Sequence, residues 1–166
     1  MEVRIDVKLT AKDLFMFNVK QVYSGMQGIL SIILPVLMFA YAVMTWGEVG
    51  IASTLLYVGL GIVFLVYVPV SLWMRVNKVI KDADNALSKT LCYTFTKEKI
   101  LVEVENESAE FQWQNIYQMK TWGKLVLIYT NRINAYILPM EQIGKNYDAL
   151  SKLAHQQLEK HRIRMK

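Results

Sequence analysis

Hydrophobic positions in this chain follow three different patterns, and each change of pattern marks a new part. From Val3 to Thr10 apolar residues alternate with Arg4, Asp6 and Lys8, the period of a half-buried strand. Thr10 stands three positions before Asp13, as in a capping box, so a short helix through Leu14, Phe15 and Phe17 is predicted to lead toward a membrane interface. From Gln21 to Gly47, and again from Val49 to Met74, there is no Asp, Glu, Lys or Arg; only Glu48 interrupts. A helix needs ~20 apolar residues to cross ~30 Å of hydrocarbon, and both runs exceed that. They predict a two-helix transmembrane hairpin with spans near Gln27 to Trp46 and Ile51 to Trp73. Tyr41, Trp46, Tyr67 and Trp73 fall near headgroup depth, and Pro35 and Pro69 are expected to bend the axes.

Beyond Met74 the chain turns basic and then polar, which reads as a helical linker ending at Lys89. From Leu91 the period returns to two. Leu91, Tyr93 and Phe95 share one face, followed by Ile100, Val102 and Val104, then Phe111 and Trp113. Further strands are predicted at Ile116 to Thr121, Lys124 to Thr130 and Asn134 to Leu138, separated by Trp122-Gly123 and Asn131-Arg132. Six short strands in so few residues make an antiparallel meander. A final amphipathic helix carries Tyr147, Leu150, Leu153, Ala154 and Leu158 on one stripe, with Asn146 as cap and Lys160, Arg162 and Arg164 at its negative end. The expected fold class is therefore an α+β membrane protein: a hairpin plus a pleckstrin-homology-like antiparallel β domain closed by a C-terminal helix. Its parts are a strand and short helix (1–20), the hairpin (21–74), the linker helix (75–89) and the β domain (90–166). Whether the first strand joins the β domain is open at this level.

This order of parts resembles the YcxB-like family of bacterial membrane proteins. The resemblance rests on the hairpin followed by a small β domain, and on Tyr93-Thr-Phe95, Trp113-Gln-Asn-Ile116 and Tyr136-Ile-Leu-Pro139. The chain departs from the family pattern after Pro139, where Met140 and Glu141 stand in place of a basic residue. The resemblance implies a bacterial inner-membrane location and a fold, and it supplies no reaction.

Charge adds orientation. The formal net charge is +5, and the loop around Glu48 holds no Lys or Arg, while Arg4, Lys8, Lys12 and Lys20 precede the apolar runs and Arg75, Lys78 and Lys81 follow them. Basic flanks stay in the cytoplasm, so a multi-pass plasma-membrane protein with both termini inside is expected. The first run would act as an uncleaved insertion signal. No Asp, Glu, His, Lys or Arg lies within the runs, which weighs against transport.

Candidate chemistry is sparse. No phosphate loop, GxSxG or HExxH is present, so no enzyme activity, cofactor or metal is expected. His155 and His161 would fall on opposite helix faces, and Cys92 reads as a strand residue. Glu103, Glu105, Glu107 and Glu110 alternate as a solvated face would. The candidate binding surface comprises Trp113, Trp122, Lys160, Arg162, Arg164 and Lys166. Either Trp could anchor a partner, although Trp113 reads more readily as core. The basic tail could contact anionic lipid. The expected function is a membrane-anchored cytoplasmic binding or regulatory module with a protein partner received along a strand edge or beside the terminal helix, and no nucleic acid. The alternatives are a hydrolase or transferase at the membrane surface, or a protective, toxin-neutralising membrane protein. Partner identity, biological process and oligomeric state stay open.

Overall fold

The alternation at the N-terminus becomes strand β1 (Val3–Lys8), whose Val3, Ile5 and Val7 are buried while Arg4, Asp6 and Lys8 are exposed, in a computed structural model of the chain. The structure describes residues 2–105 and 107–165, with Gln27 by its backbone alone. Two compact units emerge: one takes residues 1–14 and 78–166, the other 15–77.

In the first unit, β1 joins the strands that follow the apolar runs. It pairs antiparallel with β2 (Thr90–Phe95), Val3 opposite Phe95 and Lys8 opposite Thr90. β2 pairs with β3 (Lys99–Val104), and β3 with β4 (Glu107–Gln112), giving the order β1-β2-β3-β4. The second sheet contains β5 (Gln118–Trp122), β6 (Leu125–Tyr129) and β7 (Ala135–Pro139), all antiparallel, and β8 (Ile163–Arg164), which runs parallel to β5. Every residue of β6 is buried, as expected for a strand covered on both faces. The turn from β5 to β6 needs a left-handed residue, and Gly123 supplies it with φ +56°. Tyr136 packs edge-on against Tyr93 at 5.9 Å and against Phe111 at 5.3 Å, joining the two sheets through one aromatic core.

Two helices complete this unit: α4 (Met140–Ile143) and α5 (Tyr147–Gln157). Leu150, Leu153 and Ala154 of α5 are buried, as the helical stripe predicts. The predicted cap differs. Asn146 makes no side-chain cap bond; its Nδ2 donates instead to the Arg4 carbonyl at 3.1 Å. Four residues earlier, Gln142 binds Lys8 reciprocally: Lys8 N–H donates to Oε1 at 2.7 Å, and Nε2 donates to the Lys8 carbonyl at 2.9 Å. Two side-chain amides thus occupy the outer backbone edge of β1 and protect it from pairing elsewhere.

The terminal helix is shorter than the sequence suggests. It stops at Gln157 because Leu158 turns extended (φ −111°, ψ 147°), and Lys160–Arg162 form a 3-10 turn before β8. The basic residues therefore do not complement a helix dipole, and His161 is not on the helix. Leu158 and Ile163 remain buried, so core contacts in an extended conformation win over continued helix.

The capping box is formed: Asp13 N–H donates to Thr10 Oγ1 at 3.2 Å, and Thr10 N–H donates to Asp13 Oδ2 at 3.1 Å. Helix α1 (Ala11–Tyr23) begins there. The second unit holds most of α1, then α2 (Met26–Met44) and the body of α3 (Ile51–Lys81). α3 runs unbroken to Lys81, so residues 75–81 belong to it; a turn and a 3-10 segment at Ala86–Ser88 take the place of a separate linker helix. α3 is long and apolar enough to cross a membrane, and α1 with Gly28–Met44 meets the same test as a pair bent by 73°. Tyr41 of α2 meets Tyr57 of α3 edge-on at 4.9 Å, and Phe39 lies over Gly61, where an added Cβ would come within 2.9 Å of the ring. Phe15 of α1 packs on Trp73 of α3 at 5.3 Å.

Candidate binding site

Trp113 immediately precedes residues that line a polar cleft of the first unit. It is 3 % exposed, lies near Phe95 with ring centroids 6.3 Å apart, and donates its indole N–H to the Thr96 carbonyl at 2.9 Å. The residue is therefore core, not a recognition anchor, and it starts a 3-10 turn (Trp113–Asn115), not the last step of a strand. Holding Trp113 inward fixes Gln114 and Asn115 on the outside. The chain then enters β5, with Tyr117 N–H bonded to the Tyr129 carbonyl at 2.8 Å.

The opposite wall comes from the chain's end. Ile163 is buried and opposes Met119 of β5. Its neighbours on either side, Arg162 and Arg164, line a cleft of about 560 Å³ together with His161, Gln114 to Gln118 and Thr130. Arg162 Nη1 donates to the carbonyls of Gln114 and Ile116, each at 3.3 Å, and so bridges the two walls. Arg164 is exposed, and His161 Nδ1 lies 3.2 Å from Glu159. Among the described residues, no Asp or Glu lines the cleft. The arrangement is suited to an anion, because guanidinium N–H groups and amide side chains can surround one without a competing carboxylate.

Of the residues singled out from sequence, the structure brings Arg162 and Arg164 together here. Trp122 is half-buried at the end of β5, opposite Leu125, and outside the cleft; Lys160 is exposed on the 3-10 turn and does not line it. Lys166 lies outside the described residues. Gln114, Asn115, Gln118, Thr130 and His161 also line the cleft and are not among the binding residues singled out from sequence. The available signal was Arg162-Ile163-Arg164, one apolar residue between two polar ones, which is the period of a strand.

Other chemistry-bearing groups are occupied. Lys89 pairs with Glu105 at 2.8 Å and Lys99 with Glu110 at 2.7 Å; each carboxylate raises its lysine. Among the described residues no three His, Cys, Asp or Glu side chains are placed to hold a metal. Burial pushes the Cys92 thiol up from its ordinary range, although Arg4 Nε approaches its Sγ at 3.1 Å, and a protonated thiol is a poor nucleophile.

The YcxB-like protein family model matches residues 95–154, whereas no curated protein and no solved structure matches the chain. The matched stretch contains the 3-10 turn and β5 wall of the cleft; the arginine wall follows it. From the last residue of β2 into α5, residues 95–154 of this chain are similar to a YcxB-like protein.

Proposed function

We propose that the chain is a membrane-anchored cytoplasmic binding module, with α2 and α3 as a transmembrane hairpin and the first unit as the part that binds. The observation that carries this reading is the contrast between the two surfaces. Leu37 is 59 % exposed, Leu55 65 % and Val63 60 %, on helices whose outward side chains are apolar for most of their length. Such exposure is costly in water and ordinary in lipid. The first unit instead buries most of its apolar residues and presents a polar cleft. One four-stranded antiparallel sheet, three further antiparallel strands and a C-terminal helix are also the parts of a pleckstrin-homology-like domain, and this supports that fold assignment. The Lys/Arg-free loop at Glu48 supports an inward orientation of both ends.

Washing membranes from expressing cells with alkaline carbonate tests the anchor. The full chain should stay with the lipid and leave it only in detergent. Release of most of the chain into the wash would overturn the reading.

A further inference from the structure

We infer that the cleft between the 3-10 turn at Trp113–Asn115 and the Arg162–Arg164 segment binds a phosphate-bearing small ligand with a hydroxylated body. The inference deepens the binding-module reading and rests on it for the role of the first unit.

The charge of the lining comes first. Among the described residues the cleft is lined by Arg162, Arg164 and His161 with no acidic residue, and His161 Nδ1 lies 3.2 Å from the Glu159 carboxylate. Geometry comes next. Arg162 spends Nη1 on two main-chain carbonyls, which orients its plane and leaves Nε and Nη2 to donate elsewhere. A guanidinium held in this way loses little freedom when it binds, and its fork matches the spacing of phosphate oxygens. Arg164 follows two positions later along the same segment, and both arginines line one volume. Neither charge meets an ion-pair partner among the described residues.

Size sets the rest of the ligand. A volume of about 560 Å³ lies within the small-molecule range of roughly 300–1,000 Å³ and exceeds what a bare phosphate fills. The remaining lining offers the amides of Gln114, Asn115 and Gln118 and the hydroxyls of Tyr117 and Thr130. These are neutral donors and acceptors suited to hydroxyl groups. A phosphorylated polyol meets both halves of the site. It can come from solution or from the headgroup of a lipid, with the same contacts.

Isothermal titration of the full chain in uncharged maltoside micelles tests this, with sn-glycerol 3-phosphate and inorganic phosphate as probes and glycerol as the blank. Saturable binding of glycerol phosphate, weakened at least about tenfold by Arg164→Gln, is expected, since a charge-assisted contact of this kind is lost. Arg164 is exposed, so its replacement should leave melting unchanged. Lys145→Gln, an exposed basic residue outside the cleft, should bind as the parent does. Repeating the titration with phosphatidylglycerol mixed into the micelles separates the sources. A raised apparent Kd for glycerol phosphate identifies the lipid headgroup as occupant, and an unchanged Kd identifies a soluble ligand. Absence of saturable binding in maltoside, or equal binding by wild type and Arg164→Gln, overturns the inference. A failed membrane anchor would show in the carbonate wash and leave this titration readable.

Discussion

Replacing Gln142 by alanine removes both bonds that tie the α4 segment to the end of β1, 134 residues away along the chain. Each intramolecular hydrogen bond contributes about 0.5–1.5 kcal/mol net. Gln142 and Lys8 are both exposed, so water replaces part of what is lost, and a total of about 1 kcal/mol is expected for the pair. The effect should be local, because Val3, Ile5 and Val7 stay buried and the β1–β2 ladder is untouched. Amide hydrogen exchange read by NMR on the full chain in micelles measures this directly. The Lys8 amide should exchange roughly fivefold faster in Gln142→Ala, which is what about 1 kcal/mol of lost protection means. Val7 should change little. Unchanged exchange at Lys8 would refute the claim that these amides close the sheet edge, and with it the account of how the chain's beginning is held to its end.

Two further outcomes follow from the core of the first unit. Leu153 is fully buried and Leu158 nearly so, and carboxylates there would be unpaired in an apolar core; Leu153→Asp with Leu158→Asp should cost several kcal/mol, enough to abolish cooperative unfolding. A double variant with wild-type melting would show that α5 does not pack on the sheets. Burial pushes the Tyr93 phenol well above its ordinary value of 10.0, with Tyr136 adding to the shift. Its contribution to stability is therefore whole below about pH 10, and it is lost as pH rises through the folded-state value, because the unfolded chain ionises first. Melting temperature against pH should fall more steeply above about pH 10 in the parent than in Tyr93→Phe, and parallel curves would contradict that burial.

What could be read from the residues alone was whatever rests on local period. The buried set Leu91, Tyr93, Phe95, Ile100 and Val102 follows directly from alternation, and so does β1. The Thr10–Asp13 box is equally local, since both partners lie within one turn. The joining of β1 to the β domain stays open in the sequence, because the pairing with β2 spans the apolar runs and backbone bonds carry no side-chain signature. The amides of Gln142 and Asn146 hide for the same reason: their partners are main-chain atoms of distant residues. At the chain's end a true stripe misled. Leu158 continues the helical spacing and is buried, but it is buried in extended chain, so Arg162 reaches the cleft from a 3-10 turn and Arg164 from a strand. Half of the site was therefore visible as charge, and its geometry was not.

The proposed function places the first unit at the cytoplasmic face, with the apolar helices as its anchor. A fusion of the full chain to a reporter that is active only outside the cytoplasm tests it most directly. With the reporter at the C-terminus the account predicts no activity, and with the reporter inserted after Glu48 it predicts strong activity. Activity at the C-terminus with silence at Glu48 would contradict the account.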